Sequence, residues 1–529
     1  MADILDAIWG NKVVTGEEPA KKPELIAFKN SDLAIRMIYK HIYGSKNIVI
    51  HCDVDMDGIG SGYIFGRFLA TQTKVNPLYI INKDKVHGIQ QKHVDYFKDK
   101  EIDLLVIVDS SSNDLEIIKQ FNCDVLVIDH HEVLHNELCG YTNDGKHIFV
   151  IVNNVISNFE IDAIKVLLAN GNKTAADKLA IYEADSRMSC GLVVYELLRL
   201  YCETLQLGPI LENLRLYQWA GVTLYTDAIM LNTMRNQWYV ENTVHSVEIE
   251  ETFRQIVEQV NPYKVVLDKS LISYTIAPIV NKAIRAGASG EALNTIIFNP
   301  TKILELNKYR DAQDVAIEQG IAGAEIHESY VLRDISNTNI HKNYNGVVAG
   351  KLCDEYNRNA VVFSVVDGIA QGSFRGRMSG VDYRDCLASY DDTTWAQGHK
   401  TAFGFKCPIE KLNEVMANLT TVEHELDTTP LVTAGRLNST EPGKFLIDNI
   451  EDFKKQGGIW KLGTGNSKLN SEEQIFITVS SADAVLEEQI GKLYIYNVLG
   501  LRCKAFEPVT KPVINIYVEY SRQIECYIK

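Results

Sequence analysis

The chain has 529 residues, with 53 basic against 69 acidic side chains and a formal charge of −16. That length excludes one ordinary domain and suggests three or four units, and no run approaches the roughly 18 uninterrupted apolar residues of a bilayer span, so no membrane partner is expected. The acidic balance excludes a general positive coat for nucleic acid; any phosphate chemistry must rest on a local basic track and on bound cations.

In chain order, the opening MADILDAIWGNKVVTGEEPAKK has no basic-then-apolar leader pattern. The ten cysteines are scattered without a CxxC pair, which suits reduced thiols and a cytoplasmic location. Short apolar runs then recur at 47–53, 76–82, 103–109, 124–131 and 148–154, most of them separated by helix-like stretches. β-branched runs alternating with helices indicate an α/β domain built on a doubly wound parallel sheet. Helices are expected over about 174–260, and a long connecting helix over about 301–332. A second α/β unit opens near 345 with NGVVAGKLCDEYNRNAVVFSVVDG. The last hundred residues turn strand-like (IFITVSS, KLYIYNVLG, NIYVEYS, IECYIK), which suits a small β-barrel.

Chemistry concentrates where three of the early runs end, because the carboxyl ends of strands form the ligand crevice of open α/β sheets. HCDVDMDGIGSG places His51, Asp53, Asp55 and Asp57 within seven residues. Carboxylates at that spacing repel one another unless a divalent cation compensates. Asp-x-Asp-x-Asp-Gly also begins a calcium EF-hand loop, but the twelfth position counted from Asp53 is Ile64, and a strand rather than a helix precedes it. Asp109 ends the third run and Asp129-His130-His131 the fourth, while Asp227 stands in the apolar AGVTLYTDAIMLN. An isolated buried acid there would be costly, so a shared metal site is the favoured reading.

In this order the motifs resemble those of the DHH phosphoesterase superfamily, and the wider pattern resembles its RecJ-like branch. ISYTIAPIVNKAIRAG, with Pro278, Asn281 and Arg285, ILELNKYRD, GSFRGR, GHKTAFG and WKLGTGN all stand in the family's order. The resemblance implies an N-terminal extension (1–40), a DHH catalytic domain (41–295), a helical linker (296–340), a DHH-associated substrate domain (341–425) and an oligonucleotide-binding-type barrel (426–529). It also implies two divalent ions, with Mn²⁺ expected first and Mg²⁺ as the alternative. One would be held by His51, Asp55 and Asp109, the other by Asp57, Asp109, His130 and Asp227. Asp53 and Asp129 become supporting acids, His131 a phosphate contact, and Arg285 and His399 further catalytic residues.

On the substrate side the resemblance implies contacts from Lys83, Asn281, Ser373, Arg375, Arg377, Gly398 and His399. Ser373, Arg375 and Lys83 would grip a 5′-phosphate, for which a guanidinium fork and a hydroxyl are apt donors. The chain departs from the family at Lys83, where an Arg is usual, at AQGH, which lacks two of three glycines, and at Asn154, usually Pro. The implied activity is 5′→3′ hydrolysis of single-stranded DNA to 5′-mononucleotides, with a single-strand-binding protein or helicase as protein partners. The alternatives are a phosphodiesterase for oligoribonucleotides or cyclic dinucleotides and, in a different class, an inactive nucleic-acid-binding or regulatory protein.

Overall fold

The computed structural model describes residues 22–155 and 188–426, except 46, 74, 84, 228, 230–232, 245, 247, 262–266, 268–270, 357, 378–381 and 391–392, together with 460–462, 476–480, 484–490, 493–498, 501–505, 508–510, 513–520 and 524–528. The helical expectation for 174–187, the end of WKLGTGN and the His399 side chain lie outside the described residues. The chain divides after residue 311 into two compact units.

The first unit begins with helix α1 (Ser31–Gly44) and strand β1 (Ile48–Cys52), followed by α2 (Met56–Gln72), β2 (Leu78–Ile81) and α3 (Gln91–Phe97). β3 (Leu104–Val108), the short α4 (Leu115–Ile118), β4 (Asp124–Asp129), β5 (Cys139–Tyr141) and β6 (Ile148–Asn153) complete the sheet. Its order is β2-β1-β3-β4-β6-β5, parallel throughout except for β5 against β6. The five apolar runs are therefore the five parallel strands; the antiparallel edge β5 carries no such run and was not legible. β3 and the Val125–Ile128 core of β4 are buried on both faces, as β-branched runs in a helix-covered sheet should be. Leu105, Ile107, Val125 and Val127 pack with Phe97, Ile118 and Phe121, forming the core beneath α3 and α4.

Helices α5 (Cys190–Thr204), α6 (Tyr217–Thr226), α7 (Met234–Val244) and α8 (Glu251–Val260) follow. A π-helical turn at Ile272–Ile276 leads into α9 (Ala277–Arg285), and α10 (Ser289–Phe298) comes next. Pro278 has no N–H for a carbonyl of the preceding turn, which accounts for the widened turn at that point.

Beyond a 3₁₀ stretch at Pro300–Tyr309, the long helix expected to run to 332 ends as α11 (Arg310–Ala322). The Arg333 guanidinium donates to the carbonyls of Gln319 (3.1 Å) and Gly323 (2.8 Å), satisfying the free end of α11. Glu325–Ile326 (β7) and Tyr330–Asp334 (β8) are strands, so this part of the expected helical linker belongs to the second sheet. The apolar spacing of α11 continues to Ala324, beyond the end of the helix, which is why periodicity extended it too far. The sheet is completed around α12 (Asn345–Tyr356), β9 (Asn359–Val366), β10 (Ile369–Arg375), α13 (Tyr383–Ala388), β11 (Trp395–His399), β12 (Ala402–Pro408) and α14 (Leu412–Leu426). Its order is β11-β12-β10-β9-β8-β7, with only β8–β9 parallel.

The C-terminal strands form a seven-stranded sheet: β13 (Trp460–Leu462), β14 (Phe476–Ser480), β15 (Ala484–Ile490), β16 (Leu493–Val498), β17 (Leu501–Ala505), β18 (Val513–Tyr520) and β19 (Ile524–Ile528). It is antiparallel apart from β17–β19, and β15 is irregular between Leu486 and Glu488. A meander with such a break is the material of a small barrel.

Asp124 fastens α1 to the sheet. Its buried carboxylate accepts from His41 Nε2 (2.9 Å), from Lys40 Nζ (2.7 Å) and from the Ile148 N–H (3.0 Å). Lys40 is mostly exposed and adds little; the other two donors are desolvated. Asp124→Ala should therefore lower stability by roughly 1–3 kcal/mol. It should leave Mn²⁺ affinity unchanged, because Asp129 and its neighbours lie at the opposite end of β4. Urea denaturation and calorimetry on the same variant check both outcomes, and an unchanged midpoint would remove the latch.

Candidate metal centre and substrate contacts

β1, β3 and β4 are neighbours, and the strand order reverses between β1 and β3, where such sheets open a crevice at their carboxyl ends. The chain leaves β3 sharply: Asp109 takes φ +69°, while its N–H stays bound to the Ile128 carbonyl at 2.9 Å. Asp tolerates this left-handed conformation better than most residues, and such local strain gathers at functional sites. Asp55 caps α2, its Oδ1 accepting from the Gly58 N–H at 3.0 Å. A Cβ at Gly58 would lie 2.6 Å from the Asp53 backbone nitrogen, so the turn from β1 into α2 requires glycine.

Asp57 stands in the first turn of α2 and accepts from the N–H groups of Cys190 (2.8 Å) and Gly191 (2.9 Å) at the start of α5. Ser61 Oγ adds a third hydrogen bond at 3.2 Å. Asp227 follows α6 as its C-terminal cap. Two helix ends thus bring acids, and a third brings N–H groups, to the edge formed by three strands.

His130 shows what the cluster is built for. Its Nδ1 lies 2.8 Å from the Met188 carbonyl, which can only accept, so the proton sits on Nδ1 and Nε2 presents a lone pair. That Nε2 lies 3.2 Å from Asp109 Oδ1, 3.6 Å from Asp227 Oδ2 and 3.9 Å from Asp57 Oδ2. Both Nε2 and Asp109 Oδ1 are buried without a hydrogen-bond partner. Two lone pairs facing each other at this distance need a proton or a cation between them; neighbouring ligands on one ion, with bonds of about 2.1 Å, lie roughly 3 Å apart.

Three groups of side chains converge closely enough to hold an ion: Asp57, His130 and Asp227; Asp53, Asp55 and Asp109; and Asp109, His130 and His131. Asp109 belongs to two of them. His51 belongs to none, although both of its buried ring nitrogens lack partners and its ring stands edge-on to His93 with centroids 5.1 Å apart. Asp53, expected only as a supporting acid, joins Asp55 and Asp109. Carboxylate and imidazole donors together suit Mn²⁺ or Mg²⁺ better than a thiolate-bound structural Zn²⁺.

The electrostatics agree with this. Burial, followed by Asp227 and Asp55, pushes the Asp57 carboxyl well above the usual range, and burial, followed by Asp57 and Asp55, does the same to Asp109. Burial opposes ionisation of Asp55 too, but the Gly58 N–H and nearby cations outweigh it and bring its pKa down. Burial, with help from His93 and Lys92, holds His51 neutral, down to about 3. Burial and mutual repulsion thus oppose ionisation of Asp57 and Asp109, a cost that a bound cation would relieve.

Two Asp–His pairs flank it. Asp129 Oδ1 accepts from His131 Nδ1 at 2.8 Å, and its Oδ2 from the Ser112 N–H at 3.2 Å. Burial works against the His131 imidazolium, but Asp129 outweighs it and raises the pKa to about 10. On the other side His87 Nδ1 lies 2.5 Å from Asp53 Oδ2, and the Asp53 charge raises the His87 pKa against burial. Sequence reasoning missed His87; a His-Gly pair after a strand-end lysine was its only signal. The Ser189–Gly191 start of α5 was missed as well, being more than 130 residues from the Asp57 it serves.

Lys83 follows β2 and is exposed, its carbonyl accepting from Ser289 Oγ at 3.1 Å. Asn281 and Arg285 lie one turn apart on α9, both half-buried, with Asn281 Oδ1 unpartnered. In the second unit Ser373 and Arg375 stand two residues apart on β10, on one face of the strand. A Cβ at Gly346, in the first turn of α12, would meet Arg375 Nη2 at 2.7 Å and Ser373 Oγ at 3.7 Å. A guanidinium, a hydroxyl and a helix N-terminus therefore converge there. Arg377 is exposed, its N–H donating to Asn359 Oδ1 at 2.9 Å. Gly398 takes φ +134° on β11, and a Cβ there would lie 2.9 Å from Phe403 Cα, so this glycine is required. Ala396 and Gln397, at the two lost glycines, pair in β11 with Phe405 and Gly404.

Metal affinity should depend on pH with a definite sign. The raised carboxyls of Asp57 and Asp109 keep their protons to higher pH than ordinary carboxyls, and a cation must compete with those protons. Mn²⁺ affinity should rise with pH above the ordinary carboxylate range, by up to about tenfold per pH unit for each proton displaced. Folding favours the protonated forms of these two acids, so their contribution to metal-free stability falls as pH rises through their raised pKa values. Calorimetric titration at several pH values tests this; affinity independent of pH would contradict it.

The family model described as "DHH family, N-terminal domain" matches residues 47–165. No curated protein matches the chain. Among solved structures, RecJ from Thermus thermophilus in complex with Mn²⁺ superposes with a TM-score of 0.67 at 17% identity, covering 97% of this chain and 74% of that one. The same protein with Mg²⁺ gives 0.62 at 17% identity, covering 97% and 71%. A manganese-bound exonuclease RecJ gives 0.55 at 19% identity, covering 76% and 96%. Among the described residues, no helix is long and apolar enough to cross a membrane.

Proposed function

We propose that this chain, a RecJ-like protein with a DHH domain at 47–165, is a two-metal phosphodiesterase that degrades single-stranded DNA from its 5′ end to 5′-mononucleotides. The observation that carries the hydrolytic reading is the buried, unpartnered pair of His130 Nε2 and Asp109 Oδ1 amid three further carboxylates. Asp57, His130 and Asp227 would hold one cation, Asp53 and Asp55 another, and Asp109 would touch both. Divalent cations bound there supply Lewis acidity, activating water and neutralising charge on the phosphate. His131, kept cationic by Asp129, would contact a non-bridging phosphate oxygen. His51 would border the centre rather than ligate it unless its ring shifts on metal binding.

The preference for a 5′ end rests on Ser373 and Arg375 beside the start of α12. An arginine fork, a hydroxyl and helix N–H groups are together the donors a terminal phosphate dianion needs. Arg377, Gly398 and His399 would line the strand's path, and Asn281 and Arg285 would serve the catalytic unit. The C-terminal sheet would extend the grip along a longer strand, a role that barrels of this type perform by stacking and a basic groove.

If Ser373 and Arg375 act as a ruler, removing the substrate's 5′-phosphate and changing Arg375→Ala should each lower kcat/KM about ten- to a hundredfold, the equivalent of roughly 1.5–3 kcal/mol. The two losses should not add, because each deletes the same contact. Full additivity, or release of nucleotides from the 3′ end, would overturn the ruler and favour short oligoribonucleotides or cyclic dinucleotides as substrates. A loss of binding to long strands but not to a dinucleotide, on deleting residues from 426 onward, would support the role of the C-terminal sheet. Equal losses on both substrates would make that sheet structural only.

A further inference from the structure

The loop from Asn82 to Ile89 is fixed in place far more firmly than a surface connection requires. The buried Asn82 side chain donates to the carbonyls of Val86 and Gly88, both at 2.8 Å. The Gly88 N–H donates to Asp53 Oδ1 at 3.1 Å, and the Ile89 N–H to Ser111 Oγ at 2.8 Å. Gly88 takes φ +74°, and a Cβ there would meet Asp114 Oδ2 at 2.7 Å and Ser111 Oγ at 2.9 Å. Only glycine fits. What this fixed loop presents is His87, with Nδ1 2.5 Å from Asp53 Oδ2.

The Asp53 side chain is 2% exposed, whereas that of His87 is 57% exposed, so a buried acid orients an imidazole that opens outward. Asp53 in turn stands in one group with Asp55 and Asp109, which puts His87 in direct contact with a candidate metal ligand. Across the cluster Asp129 and His131 repeat the arrangement, at 1% and 45% exposure. In both pairs the acid is also satisfied by the N–H of the residue that follows it or its histidine: His130 for Asp129 and Gly88 for Asp53. A surface ion pair that served stability alone would gain little from such immobilisation. A group that must meet a substrate at a fixed point gains a great deal.

We propose that His87 is a second substrate-contacting histidine, held by Asp53, whose Nε2 meets a non-bridging oxygen of the phosphate ester at the metal cluster. The assignment rests on the phosphodiesterase reading, but not on DNA as the substrate or on 5′ directionality. With Nδ1 engaged by Asp53, Nε2 is the ring atom that faces outward. The two histidines would then grip the phosphate from opposite sides, while the acids between them hold cations.

Three variants separate this role from a structural one. Asparagine at 87 can still reach Asp53 but not the Nε2 position; glutamine carries an amide donor to that position; alanine removes both. Thymidine 5′-monophosphate binding to the Mn²⁺-loaded full chain is measured alongside Mn²⁺ affinity and turnover of bis(p-nitrophenyl) phosphate and a 5′-phosphorylated strand. His87→Ala and His87→Asn should weaken nucleotide binding and lower kcat/KM about ten- to a hundredfold, with His87→Gln recovering part of both. Mn²⁺ affinity of His87→Asn, which keeps the contact to Asp53, should stay within about twofold of the parent, whereas a loss in His87→Ala reflects the partner stripped from a metal ligand. Unchanged nucleotide binding and turnover in His87→Ala would overturn the proposal. So would a parallel loss of Mn²⁺ affinity in His87→Asn, which would make His87 part of the metal scaffold. A parent protein that cleaves the small ester but no strand refutes the DNA reading and leaves the His87 comparison decisive; where neither is cleaved, nucleotide binding decides it.

Discussion

Mutual repulsion among buried carboxylates at one sheet edge is the constraint on which the rest of this structure depends. Asp53, Asp55, Asp57, Asp109 and Asp227 converge with His130, and burial already opposes ionisation of Asp55, Asp57 and Asp109. The protein relieves part of that cost with oriented N–H groups: the start of α5 on Asp57, Gly58 on Asp55, Gly88 on Asp53 and Ser112 on Asp129. Helix N-termini are favourable surroundings for anions, which is why α5 begins where Asp57 ends. What remains, the unpartnered Asp109 Oδ1 and His130 Nε2, is left for cations.

Holding such a cluster requires rigid supports. Glu250 illustrates them: its buried carboxylate accepts from Tyr63 Oη on α2 (2.8 Å) and from Trp219 Nε1 on α6 (2.9 Å). These are the helices that carry Asp57 at one end and Asp227 at the other. Ser189 Oγ and Thr223 Oγ1, 2.9 Å apart, join α5 to α6 in the same way. The cluster's dimensions are therefore set by hydrogen bonds between helices as well as by the sheet. This is the kind of support that keeps ligands in place before an ion arrives.

Much of this was legible in the sequence because strand identity and chemistry coincide there. Continuous β-branched runs mark the five parallel strands, and the polar residues that end them mark the crevice, so Asp109 and Asp129-His130-His131 could be placed without coordinates. Other parts had no local signature. His87 sits in a loop, where no periodicity singles it out, and the N–H groups of Cys190 and Gly191 act through backbone that any sequence supplies. The end of α11 was misplaced because Ile317, Ile321 and Ala324 keep a helix-like spacing, although Tyr330–Leu332 pair as a strand. His51 illustrates the opposite case: the motif is plain, yet its ring stands outside the groups that converge.

The most direct test of the central claim is anomalous diffraction from crystals of the full chain equilibrated with Mn²⁺ near neutral pH. The account predicts two peaks about 3.5–4 Å apart, the spacing of two-metal sites. Asp109 should lie between them and His130 Nε2 should ligate one. No peak within reach of Asp109, or an ordered water in place of a metal between Asp109 Oδ1 and His130 Nε2, would contradict it.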